Sequence, residues 1–346
     1  MKRMPEKFSY GWRMTLMGAV MHFLVDGLCL CCLWLMTTDL NIMSTESIGI
    51  FVTYNVLAFL TQPLTGAWAD RMKQKHWMLL GAVALLTAAV LGAAISNAVT
   101  FSSASSLEHT VTRMTIATLL GLGNSLFHVW GGKQTAMRTG NDIRALGVFV
   151  STGVMGLTLG GLFCSWGLLY AFLLMMSVLA VLVPKLTEEK DAYDAKISCS
   201  SPRNTKHSTV TFHLSIIAIV VLMGLVMLRS YIGESFSIDT EKSNWVILMI
   251  GGAAMLGKMA GGWLVKAMGM VRAMVVVLLL VLVCLFGRSS GAAIVVAGIF
   301  AVNCTMPATL YLANVVLKGR EGLAFGLLAA ALIPGYLLAF VPMSDI

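Results

Sequence analysis

The sequence predicts an all-α polytopic membrane protein of about eleven transmembrane helices. Three observations predict it. Of the 346 residues, 58% are hydrophobic and 12% charged, with a mean hydropathy of +0.85; a soluble domain carries roughly 25% charged residues. Apolar runs near 20 residues recur along the chain, each long enough to cross the hydrocarbon as a helix. A β-barrel would instead show alternation over about 10 residues. Finally, the basic residues fall on one side. Lys2, Arg3, Lys7 and Arg13 precede the first apolar run; Arg71, Lys73 and Lys75, then Lys133, Arg138 and Arg144, then Lys185 to Lys206, Lys266, Arg272, Lys318 and Arg320 follow on that same side. Only Arg113, Lys242 and Arg288 lie opposite. This bias predicts a cytoplasmic N-terminus in a multi-pass protein of the cytoplasmic membrane. It also accounts for the net charge of +8 as topology, so no nucleic-acid partner is expected.

Helix 1 is expected over about 13–36, helix 2 over about 47–68 and helix 3 over about 77–99. Helix 4 follows over about 113–135 and helix 5 over about 143–164, with helix 6 ending by Pro184. Residues 185–210 form the one long polar segment and read as a flexible cytoplasmic linker. It separates an N-terminal six-helix bundle, 1–184, from a C-terminal bundle, 211–346. That second part holds helix 7 (about 211–233), helix 8 (244–266), helix 9 (271–287), helix 10 (290–316) and helix 11 (322–342). The first apolar run lacks a cleavage site and reads as an anchor. The seven cysteines show neither zinc spacing nor a disulfide framework, and read as packing residues.

Between helices 2 and 3 stands Gly66-Ala-Trp-Ala-Asp70-Arg71-Met-Lys-Gln-Lys75, a tight charged turn joining two membrane-length runs. This G-x-x-x-D-R-x-x-x-K pattern resembles the signature loop of the major facilitator superfamily. The resemblance implies a two-bundle fold in which the loop, through Gly66, Asp70, Arg71 and Lys75, latches one gate shut. A second copy, Gly262 to Lys266, carries a base where the first carries an acid. The halves then read as parallel repeats. The family has six helices and six. Here the count is six and five, so the twelfth helix is missing, by truncation or by nature.

Ionisable groups within a membrane are costly and mark function first. Helix 1 carries His22 and Asp26, four residues apart and on one face, a candidate proton site. Asn124 and His128 have the same spacing on helix 4. Arg229 on helix 7 has three readings: it binds an anionic substrate, pairs with Asp26, or snorkels outward. Asn303 on helix 10 bonds either substrate or a neighbouring helix. Lys258 faces the bundle interior or reaches the cytoplasmic end. Its surroundings nearly spell a phosphate-binding loop, but Met259 replaces the hydroxyl and the context is a membrane helix. In the family, helices 1, 4, 7 and 10 line the central cavity, which is where His22, Asp26, Asn124, His128, Arg229 and Asn303 fall; Lys258 stands on helix 8. The Ser-Leu-Phe-His128 run together with His22 and Asp26 resembles the fosmidomycin-resistance branch, without the Pro that usually follows the His. Gly153, Gly156, Gly160 and Gly161 of helix 5 form a small-residue stripe, read as helix packing ahead of an antiport signature.

The resulting expectation is a secondary active transporter that moves a small polar or anionic solute by alternating access, with proton-coupled export ahead of uptake by symport. A sensor or scaffold on a transporter fold is the alternative of another class. The partners expected are the lipid bilayer, a small-molecule substrate and protons or another coupling ion, with no obligate protein partner. No catalytic residue, cofactor or metal-ligand cluster is expected.

Overall fold

Helices follow one another along the whole of the computed structural model, which describes residues 6–72, 76–99, 106–198, 209–238 and 243–340. They are α1 (Glu6–Met36), α2 (Thr45–Arg71), α3 (Trp77–Val99), α4 (Ser106–Thr139), α5 (Ile143–Leu162) and α6 (Trp166–Ser198). Then come α7 (Thr209–Ile238), α8 (Asn244–Met268), α9 (Met270–Phe286), α10 (Ala292–Val316) and α11 (Glu321–Leu338). Among the described residues, nine of these helices contain a stretch long and apolar enough to cross a membrane; α9 is apolar but shorter. The remaining one, α4, has 34 residues and spans about 51 Å at 1.5 Å per residue, with polar residues spread along it.

The helices form two bundles. In the first, α1 packs on α4, α5 and α6, and α3 packs on α4 and α6; in the second, α7 and α8 both pack on α10, and α11 closes on α7. The bundles meet where α5 lies on α8 and where α11 lies on α2 and α4. Large apolar side chains such as Leu174, Leu182, Val221, Leu278 and Val283 face outward, as lipid contact requires.

Glycines decide the closest contacts. On α5, a Cβ at Gly156 would land on the Phe23 carbonyl and one at Gly160 on the Gly27 carbonyl. The α5 stripe therefore lets two backbones touch, and α1 is held at the shortest distance helices allow. Gly161 lies off this line and meets side chains alone, Leu30 at 3.2 Å and Trp34 at 3.7 Å. On α8, Gly257 and Gly261 play the same part against the carbonyls of Phe300 and Cys304.

Three helices are interrupted at membrane depth. A π-helical turn, Val56–Leu60, precedes Pro63 in α2. α10 breaks at Cys304 and Thr305, just before Pro307. α11 breaks at Ala331, before Pro334, and there the Ser230 hydroxyl of α7 donates to the Leu332 carbonyl at 2.9 Å. Proline removes a donor and leaves a carbonyl unpaired; a neighbouring hydroxyl makes such a break tolerable in lipid.

Several features differ from the sequence expectation. Helix α6 continues through Pro184 to Ser198, so much of the segment expected as a flexible linker is helical. Residues 199–208, Cys199 included, and Lys75 of the charged turn lie outside the described residues. Arg113, at the outer edge where the sequence places it, is buried. Its guanidinium donates to both Asp39 oxygens at 2.6 and 2.8 Å and to Glu46 at 3.1 Å, tying α4 to the α1–α2 connection. Cys29, Cys31, Cys32, Cys284 and Cys304 are free thiols buried in the packing.

Candidate functional site

His22 and Asp26 are brought together with His128 in the first bundle, at the seam between α1, α4 and α5. The His22 Nε2 lies 3.2 Å from one Asp26 oxygen, and the His128 Nε2 lies 3.5 Å from the other. All three residues are buried. The rings of His22 and His128 meet edge to face, their centroids 4.4 Å apart. Gly153 makes room for the group: a Cβ there would strike both Asp26 and His22.

Backbone carbonyls fix the tautomers. His22 Nδ1 stands 2.7 Å from the Phe149 carbonyl, and His128 Nδ1 stands 2.9 Å from the Asn124 carbonyl. A carbonyl only accepts, so each Nδ1 carries the hydrogen and donates. Both Nε2 atoms then point at one carboxylate. A bare lone pair against a carboxylate is repulsive; a proton between them makes a charge-assisted hydrogen bond. The arrangement is a trap for a proton shared between Asp26 and one of two imidazoles. Asn124 completes it by donating through Nδ2 to Asp26 at 3.1 Å and to the Tyr54 hydroxyl at 3.1 Å.

The donor atoms of His22, Asp26 and His128 all lie within 4.8 Å of one another, close enough to bind a metal ion. This corrects the expectation that no metal-ligand cluster would form: the three donors come from two helices, and their convergence depends on how those helices are rotated. A divalent ion there would face two further cations across a small cavity, whereas a proton adds only one charge; the free Nε2 lone pairs suit either.

The triad forms one wall of a cavity of about 230 Å³. The opposite wall carries Arg229 from α7 and Lys258 from α8. Arg229 is buried, its Nε has no hydrogen-bond partner, and neither cation has an ion-pair partner among the described residues. Of the three readings of Arg229, this removes snorkelling and pairing with Asp26. A second cavity of about 250 Å³ shares Arg229 and Lys258 with the first and extends past Gly233 and Glu234. Asn303 lines that second cavity, and its Nδ2 donates to Ile299 of its own helix at 2.8 Å. It is therefore separate from the triad, and among the described residues it makes no bond to a neighbouring helix.

Far from the cavity, Asp70 ends α2 against the start of α11. Its two oxygens accept from the Gly322 and Leu323 amides at 3.0 and 2.9 Å, and Lys133 Nζ lies 3.2 Å away. Lys133 also donates to the Ala69 carbonyl at 2.6 Å. A carboxylate at the first free amides of a helix meets both orphan donors and the positive end of the helix dipole. Gly66 is required there, because a Cβ would strike the Gly322 backbone. Arg71 is exposed.

Sequence reasoning missed Tyr54, which meets Asn124, and Gln62, a buried residue at the cavity edge whose Oε1 has no partner. It left Lys258 between the bundle interior and the cytoplasmic end; the side chain lines the central cavity. The polar character of Tyr54 and Gln62 within one apolar run was the available signal.

The model of the Major Facilitator Superfamily matches residues 15–340. No curated protein matches the chain. Among solved structures, a bacterial homologue of the iron transporter ferroportin, in an outward-facing state, aligns with a TM-score of 0.60 at 14% identity, covering 95% of this chain and 91% of that one. The E. coli fucose:proton symporter aligns with a TM-score of 0.62 at 10% identity, covering 97% and 92%. The human organic anion transporter MFSD10 (TETRAN) aligns with a TM-score of 0.58 at 18% identity, covering 97% and 93%. At such identities these likenesses speak to the fold alone. The match along nearly the whole chain shows that this protein belongs to the Major Facilitator Superfamily and is a membrane transporter, not an enzyme.

Proposed function

We propose that the chain is a proton-coupled secondary transporter of a small polar or anionic solute, working by alternating access at the central cavity. One observation carries this reading: the Asp26 carboxylate is bracketed by two imidazoles whose tautomers turn both Nε2 lone pairs toward it, where a proton can be shared. Loading or release of that proton changes the charge of the cavity wall, which is the link a coupled transporter needs between ion and solute. Asp70, with Gly66 and Arg71 beside it, then acts as the latch, and its bonds to α11 close the cavity on that side. The basic bias makes the latch side cytoplasmic, in the cytoplasmic membrane with the N-terminus within.

The test is proton flux after a pH jump in liposomes holding the purified protein, wild type against Asp26→Asn, across a panel of small polar and anionic solutes. Solute-dependent proton movement in the wild type that is lost in the variant supports the proposal. Solute flux that persists in the variant, with no proton movement in either protein, overturns it.

A further inference from the structure

We infer that Arg229 and Lys258 form a subsite for a compact dianion, a short dicarboxylate or a phosphonate, and that this anion crosses together with the proton. The inference rests on the proton reading of the triad for its direction of coupling, but not for the subsite itself.

The subsite follows from unbalanced charge. Arg229 lies in the membrane interior, buried, with a free Nε and no ion-pair partner among the described residues. Lys258 lines the same cavity, also without an ion-pair partner among them. Two like charges on adjacent helices, α7 and α8, gain nothing from each other, and a buried charge is retained at high cost unless something pairs with it. No acid among the described residues forms an ion pair with either of these. A guanidinium offers a planar fork that carboxylate and phosphonate oxygens match bidentately, and an ammonium adds a point charge beside it. Apolar side chains, Val154, Val226, Leu310 and Phe325 among them, complete the cavity and limit the ligand to a small body.

The sense of coupling follows from the groups that face this space. They are His22 and Asp26 of α1, His128 of α4, and Arg229 and Lys258, with Glu234 of α7 at the far end of the adjoining cavity; Asn124 and Tyr54 stand behind Asp26, outside the lining. In the central cavity one carboxylate opposes two cations. The excess is one positive charge when the imidazoles are neutral and two when the triad holds a proton. A dianion balances the loaded site and not the empty one. Proton and anion therefore strengthen each other's binding, and reciprocity makes that true in both directions. Partners that bind cooperatively are carried together; exchange would require them to compete. This reverses the expectation of export by proton antiport.

The experiment uses the full chain purified in detergent and follows thermal stability and calorimetric binding with malonate, succinate and methylphosphonate. Acetate and malonamide serve as the monoanionic and neutral controls. The expected result is stabilisation by at least one dianion and by neither control, with affinity falling at least tenfold in Arg229→Gln and in Lys258→Gln. Both variants should remain folded, since each removes an unpaired charge. Malonate affinity should rise as the pH falls from about 8 to about 6.5, and Asp26→Asn should abolish that slope. Binding by none of the dianions, or equal binding in both cation variants, overturns the subsite. Tighter binding at higher pH overturns the shared direction. Dianion binding without any proton movement in vesicles would leave the subsite standing and remove the proton reading.

Discussion

On the wall built from α1 and α4, Asp26 is met by two imidazoles and the Asn124 amide; on the wall built from α7 and α8, Arg229 and Lys258 form no ion pair with an acid among the described residues. The two walls face each other across about 230 Å³. The difference separates two uses of a buried charge. A charge already held by partners can change its proton without disturbing the helices around it. A charge left bare awaits a partner that comes and goes. On this account the first bundle carries the ion and the second carries the solute, and each substitution that equalises the walls should remove one of those abilities.

The largest effect is expected from Asp26→Asn. It keeps the shape of the side chain and removes the charge that both imidazoles face, so solute-driven proton flux in liposomes should fall at least a hundredfold. Next comes Arg229→Gln. Hydrogen bonds to charged groups contribute about 1.5–3 kcal/mol, so dianion affinity measured by calorimetry should weaken by about 10- to 100-fold. Because the guanidinium is unpaired, the ligand-free variant should melt no lower than the wild type, whereas loss of a paired group would lower the melting temperature. That contrast separates the two walls most sharply.

A smaller effect belongs to the latch. Asp70→Asn removes a charge that accepts from Gly322 and Leu323, and should weaken closure by about 1–3 kcal/mol. Faster hydrogen exchange at those two amides would show it. The smallest effect belongs to Asp142, which caps α5 by accepting from the Arg144 amide at 3.0 Å and lies beside Lys266 of the second repeat. Partial burial raises its pKa, but the Arg144 bonds and the charges of Arg144 and Lys266 outweigh burial and hold it below the ordinary carboxylate value. A depressed folded pKa gives stability that is present above the ordinary value and is lost as pH falls through the lower one. Asn is also a good cap, so Asp142→Asn isolates the charge. Its small cost in thermal stability at neutral pH should vanish in strong acid.

The two latches carry a related lesson. Gly66 packs on the start of α11 and Gly262 on the start of α5, so both repeats dock a glycine against a helix start. In the first the acid ends the docking helix, as Asp70. In the second a base, Lys266, stands there and the acid, Asp142, caps the receiving helix. The sequence showed the reversed residue but not its partner, since Asp142 stands far away along the chain.

The number and order of the helices were legible in the sequence because apolar runs and basic loops report them directly. So were His22 with Asp26 and Asn124 with His128, because a spacing of four places both on one helix face. What joins these pairs was not legible. An apolar helix surrounded by lipid and protein shows little periodicity, so its rotation cannot be read from its residues. Lys258 therefore kept two directions, Tyr54 read as one aromatic among many, and the Asp39 and Glu46 partners of Arg113 stayed hidden. The helical extension of α6 was hidden for another reason: its polar composition suits a solvated helix as well as a linker.

The central claim is that a proton on the triad and an anion on Arg229 and Lys258 cross together. The direct measurement loads liposomes with a pH-sensitive dye and imposes an inward gradient of the tightest-binding dianion. The account predicts that the interior acidifies with wild-type protein and stays unchanged with Asp26→Asn or Arg229→Gln. An interior that becomes alkaline as the anion enters, or anion entry with no change of pH, would contradict it.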